Sequence, residues 1–153
     1  MSEGVLSGNP MVDVKVTLVD GKFHSVDSSD MAFQIAGSLA LKEGVEAAGV
    51  SLLEPIVQLA VTVPESFTGD IMGDLNAKRG KIQGMDQIGG GKQVINALVP
   101  QAEVARYVID LRSMTGGRGA FSMTFSHYEE MPQHLAQKVI DEYQHAREEA
   151  HKK

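Results

Sequence analysis

The stretch "DLRSMTGGRGAFSM", Asp110 to Met123, sets Arg112 and Arg118 about a Gly-Gly pair, directly ahead of alternating apolar residues. Two chemistries suit that pattern. Glycines stop a helix and cations near its last turn complement the dipole, so the stretch serves as an ordinary cap. Alternatively, successive backbone N–H groups in a glycine turn bind an anion, and the arginine fork matches phosphate. Arg118 stands between Gly117 and Gly119, where few neighbours can bury it, so it projects. Ser113 adds a hydroxyl beside Arg112, but it has no G-x-S-x-G elbow and no nearby His, which leaves a nucleophile reading without support.

Other chemistries find less in this chain. It contains no Cys, which removes disulfides, thiolate zinc sites and cysteine nucleophiles and fits a reducing compartment. "IGGGKQV" lacks the first Gly of a phosphate loop and the Ser or Thr after Lys92 that would hold magnesium, so the residues are not expected to bind GTP. The histidines, His24, His127, His134, His145 and His151, show neither an i, i+4 zinc pair nor H-E-x-x-H, and no metal is expected. His24, in "GKFHSVDSS", reads locally as an exposed polar residue on a hairpin. Small ferredoxin-like enzymes can hold phosphate in a Gly-rich loop backed by Arg, and "TGGRG" has that look. A hydrolytic version needs a general base that the sequence does not supply beside it.

The 153 residues are 42% apolar and 22% charged, with net charge −6. Charge is uneven along the chain. From Lys78 to Arg118, seven cations (Lys78, Arg79, Lys81, Lys92, Arg106, Arg112, Arg118) meet three acids, a local balance of +4, whereas the first 53 residues carry three lysines against seven acids, −4. Local rather than total charge governs nucleic-acid binding, so the basic segment is the place to look. No run of about 18 apolar residues occurs and the N-terminus lacks a signal-peptide pattern, which predicts a soluble, cytoplasmic chain.

The elements that must position these residues follow from periodicity. "VDVKVTLV" alternates apolar with polar and Asp20-Gly21 turns it into Lys22–Val26, predicting a hairpin. A helix capped by Ser28 or Ser29 and closed by Gly49 follows, with Met31, Ile35 and Leu39 on one face and Gly37 and Gly44 implying close packing. A strand over 55–63 ends at Pro64, and a helix capped near Ser66 or Thr68 ends by Gly80, with Lys78 and Arg79 favouring its dipole. Two strands part at Gly89-Gly90-Gly91. A helix through Val104, Tyr107, Val108, Leu111 and Met114 stops at Gly116-Gly117. A strand with Phe121, Met123 and Phe125 on one face precedes a last helix from Pro132 through Lys153. From Pro55 this order is βαββαβ, an α+β, ferredoxin-like split βαβ sandwich preceded by a partial βα unit.

Three long runs, "VDVKVTLVDGKFHSVDSSDMAFQIAGSLALKEG", "LLEPIVQLAVTVPESFTGDIMGDLNAKRGKIQGM" and "ALVPQAEVARYVIDLRSMTGGRGAFSMTFSHYEEMP", resemble the C-terminal part of translation elongation factor G. The resemblance implies that residues 1–53 are the latter half of that family's domain IV and residues 54–153 its ferredoxin-like domain V. It implies a fragment of a ribosomal translocase that touches rRNA and the tRNA/mRNA decoding region, without catalytic residues, the GTPase with its GTP and Mg lying in an absent domain. His24 matches the domain IV tip at the decoding centre, and Arg112 and Ser113 match positions facing the sarcin-ricin loop of the large rRNA. Arg118 joins them as an rRNA-contact candidate on the local reading. Family members commonly carry Gln where Gly116 stands. A truncated domain IV exposes apolar surface, which predicts a homodimer or domain swap. A tetracycline-resistance ribosome-protection protein or a second elongation factor G copy shares the architecture, and the phosphate-handling enzyme is the alternative of a different class.

Overall fold

A computed structural model describes residues 4–26 and 28–151, the side chain of residue 151 excepted. The chain divides into two compact units, one spanning Leu53–Glu130 and the other drawn from the residues that flank it on both sides.

The central unit is a four-stranded sheet in the order β2-β3-β1-β4, made of β1 (Leu53–Pro64), β2 (Lys81–Gln87), β3 (Lys92–Pro100) and β4 (Ala120–Glu130). Every neighbouring pair is antiparallel. Helix α2 (Thr68–Ala77) connects β1 to β2, and α3 (Tyr107–Thr115) connects β3 to β4. This is the split βαβ sandwich that the residue order implies. One face of β1 and β3 supplies Val57, Leu59, Val61, Val63, Ile95, Ala97 and Val99 to the core, against Ile71 and Leu75 of α2 and Tyr107 and Leu111 of α3. Alternate residues of a strand share a face, so the period of two in β1 translates directly into this layer.

Local details depart from expectation where tertiary partners intervene. Neither Ser66 nor Thr68 caps α2: a 3-10 turn, Glu65–Phe67, leads into it, and the Thr68 hydroxyl donates to Gln93 Oε1 instead, at 2.8 Å. Helix α3 follows a second 3-10 turn at Gln101–Val104, and its buried row is Tyr107, Leu111 and Thr115, with Val108 exposed. Phe121, Met123 and Phe125 pair with Val61, Leu59 and Val57 and so share the helix-bearing face. Only Phe121 packs into the core, meeting Tyr107 edge to face at 5.3 Å; Met123 and Phe125 lie on the edge strand, where they stay exposed.

In the flanking unit, α1 (Asp30–Ala48) starts at Ser29, whose hydroxyl accepts from the Ala32 N–H, and ends at Gly49. Helix α4 (Gln133–His151) follows Pro132; the expected continuation to Lys153 lies outside the described residues. The hairpin expected over residues 12–26 does not form: no strand occurs among these described residues. Val14, Val16 and Leu18 are exposed, and an isolated two-stranded ribbon with nothing packed on its apolar face is marginal in water. The partial βα unit is therefore a helix behind an irregular lead. Gly37 and Gly44 likewise face open space rather than a close neighbour.

Candidate nucleic-acid interface

The α3-β4 turn is built by two interlocked devices. Gly116 takes the left-handed conformation at φ 58°, and the Gly117 N–H donates back to the Arg112 carbonyl at 3.1 Å, closing the helix end. Thr115, fully buried, donates its hydroxyl to the Leu111 carbonyl at 2.7 Å and accepts from the Gly119 N–H at 3.0 Å. Gly119 must stay small, because a Cβ there would lie 2.9 Å from Leu111 Cδ1 and Cγ. The turn is thus rigid although Gly116 and Gly117 are exposed.

Arg112 and Ser113 lie in the last turn of α3 and Arg118 on the turn that follows it, and all three are exposed. Arg118 donates Nε–H to the Thr115 carbonyl at 3.2 Å, and its Cζ lies 4.7 Å from the centroid of the Phe67 ring. His24 belongs to the other unit, in a turn closed by Ser28, whose N–H donates to the His24 carbonyl while its hydroxyl accepts from the His24 N–H.

The remaining cations sort sharply. Lys78 bridges Asp74 at 2.8 Å and Asp110 at 3.2 Å, and the hydrogen bond to Asp74 first of all raises its pKa. Arg79 makes a bidentate pair with Glu54 at 2.7 and 2.9 Å and reaches Glu103 at 3.1 Å, contacts that raise its pKa above the ordinary guanidinium value, Glu54 foremost. Lys81 meets Glu129 at 3.3 Å. Lys78 is the C-cap of α2 and Arg79 follows it, and at this helix end both cations are engaged by carboxylates. Among the described residues, Arg112 and Arg118 pair with no carboxylate, nor do Lys92 and Arg106. Most of the carboxylates responsible, Glu54, Asp74 and Glu129, lie outside the basic window in sequence.

One arrangement was not legible beforehand. A bulge opposite Ile56 and Val57 lets Ser126 Oγ sit 2.8 Å from His127 Nδ1 while His127 Nε2 meets Glu129 Oε1 at 2.9 Å. Serine, imidazole and carboxylate thus form a chain, and the His127 contact, ahead of Lys81, holds the Glu129 carboxyl below its usual range. Ser126 is exposed on the edge strand, where water is not excluded. The glycine run Gly89–Gly91 joins two antiparallel strands, whereas a nucleotide phosphate loop joins strand to helix, so these residues do not fit GTP.

The central unit is thus a split βαβ sandwich whose α3-β4 turn carries arginines that, among the described residues, meet no carboxylate. Residues 51–139 match the family model for the elongation factor G C-terminus and residues 1–49 that for elongation factor G domain IV; the chain belongs to the elongation factor G family. It is 54% identical over 142 residues to elongation factor G of Aquifex pyrophilus, covering 93% of this chain and 20% of that protein. A crystal structure of a Thermus thermophilus protein superposes with TM-score 0.82 at 47% identity, over 94% of this chain and 22% of that one. The chain spans about a fifth of the length of the curated relative it matches.

Proposed function

We propose that this chain is the rRNA-contacting, non-catalytic part of a cytoplasmic ribosomal translocase. Residues 1–53 are the latter half of domain IV and residues 54–153 are domain V, in keeping with family matches that meet near residue 50. Arg112, Ser113 and Arg118 seat on phosphates of the large-subunit rRNA, and His24 belongs to the tip that faces the tRNA and mRNA in the decoding region. GTP and Mg are handled elsewhere in the longer protein, whose nucleotide state repositions these units; this chain itself holds no cofactor.

The observation that carries the reading is the sorting of cations. Lys78, Arg79 and Lys81 spend their charge on internal carboxylates, whereas Arg112 and Arg118 keep theirs on a locked turn. The enzymatic alternative loses support from the same geometry. His127 lies seven residues along β4 from Ala120, roughly 23 Å at about 3.3 Å per residue, too far to act as a base at the Arg118 turn.

The flanking unit exposes Val16, Leu18, Met31, Ile35 and Leu39, and a second copy of the chain, by pairing or swapping, covers that surface. For the rRNA reading, the test is ribosome-dependent GTP turnover by a full-length factor carrying Arg112→Ala and Arg118→Ala. Slower turnover is expected, with Lys81→Ala near the parent rate as control; unchanged kinetics of the double variant would overturn it.

A further inference from the structure

We infer that Phe67 is the positioning residue that orients Arg118 for phosphate while leaving its charge uncompensated. The inference rests on the proposal that the α3-β4 turn meets rRNA. Arg118 has glycines on both sides, so no neighbouring side chain in sequence restrains it. An arginine in that setting loses rotamer freedom when it is immobilised by a ligand. Two contacts remove much of that freedom in advance. Nε–H donates to the Thr115 carbonyl, and the guanidinium carbon stands 4.7 Å from the centre of the Phe67 ring. Thr115 is fully buried and Phe67 packs against the core, so both supports are fixed.

The choice of an aromatic support matters electrostatically. Arg79 is held by Glu54 and Glu103 and Lys78 by Asp74 and Asp110, which fixes those cations and neutralises them together. A ring face attracts a cation through its quadrupole and carries no net charge. Arg118 is therefore oriented without a counter-charge, and among the described residues its two Nη groups have no hydrogen-bond partner. They supply the parallel pair of donors that a phosphate accepts. Phe67 closes the 3-10 turn before α2, so its place beneath Arg118 depends on β1 ending where it does, at Pro64.

The test compares Phe67→Leu, Phe67→Tyr, Arg118→Ala and the Phe67→Leu/Arg118→Ala double variant in the intact chain. Purified large ribosomal subunits are the binding probe, and circular dichroism melts check folding. Arg118→Ala is expected to weaken binding about ten-fold, the scale of a lost charge-assisted hydrogen bond. Phe67→Leu is expected to weaken it roughly two- to five-fold, the worth of an exposed cation–π contact, with Phe67→Tyr restoring it. The double variant should bind no worse than Arg118→Ala. The Arg118 Nε–H resonance should also lose its ring-current shift in Phe67→Leu and keep it in Phe67→Tyr. If Arg118→Ala weakens binding while Phe67→Leu does not, or if Phe67→Leu weakens it equally without Arg118, the positioning role is overturned alone. If Arg118→Ala binds like the parent, the rRNA reading of this side chain falls, and the inference with it.

Discussion

Arg79→Ala probes the ion-pair logic where it is most demanding. The Glu54 side chain is only 6% exposed and receives both guanidinium Nη groups, while the Arg79 side chain is 29% exposed and reaches Glu103 through Nε. Removing the arginine strands a carboxylate at the start of β1 with no cation to meet it. Breaking a buried pair from one side costs about 3–5 kcal/mol, and the partial exposure of Arg79 lets water replace some of the contact, so about 2–3 kcal/mol is expected. Arg79 also holds φ 59°, a left-handed conformation worth about 1 kcal/mol of strain for any residue with a Cβ. Arg79→Gly removes the same ion pair but relieves that strain, and should be about 1 kcal/mol less harmful than Arg79→Ala. Urea unfolding followed by circular dichroism measures both, with the Arg79→Ala midpoint expected roughly 1–2 M below the parent. A shift worth less than about 0.5 kcal/mol, the range of an ordinary surface substitution, would refute the claim that Glu54 depends on Arg79. Equal effects of Ala and Gly would refute the strain component.

Three further outcomes follow from the same structure. Gly116→Ala forces a Cβ into a left-handed residue and should cost about 1 kcal/mol in urea unfolding, with Gly116→Asn cheaper because Asn tolerates that region. The Glu129 pKa is lowered in the folded chain by His127 and then Lys81, so its contribution is present above the unfolded carboxylate pKa and is lost as pH falls through the folded value. With the side chain 39% exposed the loss is small; Glu129→Gln should flatten the acid limb of a pH–stability profile, and an unaltered limb would count against the contact. Light scattering across a concentration series should show dimer growing with concentration, and diminishing when Leu39→Glu places a charge on the exposed face of α1; a strict monomer at high concentration removes the proposed self-association.

The central sandwich was legible because its period-two and helical segments all agree with one topology. Val57, Leu59, Val61 and Val63 read as one face, Gly89–Gly91 as a turn and Gly116 as a helix stop, and each holds in the fold. The hairpin expected over 12–26 does not form because alternation marks extended chain equally well with or without a partner surface, and sheet formation needs the partner. Gly37 and Gly44 misled for a related reason: a glycine in a helix signals a close neighbour only when one exists.

At the candidate site, Arg112 and Arg118 were visible as a charge pattern, but their availability was not. It depends on which cations find carboxylates across the fold, and Arg79 finds Glu54, 25 residues away in sequence. Phe67 read simply as an apolar helix residue, since nothing local announces that its ring lies under Arg118. The chain of Ser126, His127 and Glu129 needed the bulge opposite Ile56 and Val57, a register detail that no spacing rule supplies.

The salt dependence of binding to large ribosomal subunits tests the central claim most directly. Each phosphate contact contributes close to one unit to the slope of log K against log salt concentration. Arg118→Ala should flatten that slope by about one unit and Arg112→Ala by a similar amount, while Lys81→Ala, whose charge is engaged by Glu129, should leave it nearly as it was. Slopes unchanged by both arginine substitutions, or reduced as much by Lys81→Ala, would contradict the assignment of this turn as the phosphate-seating surface.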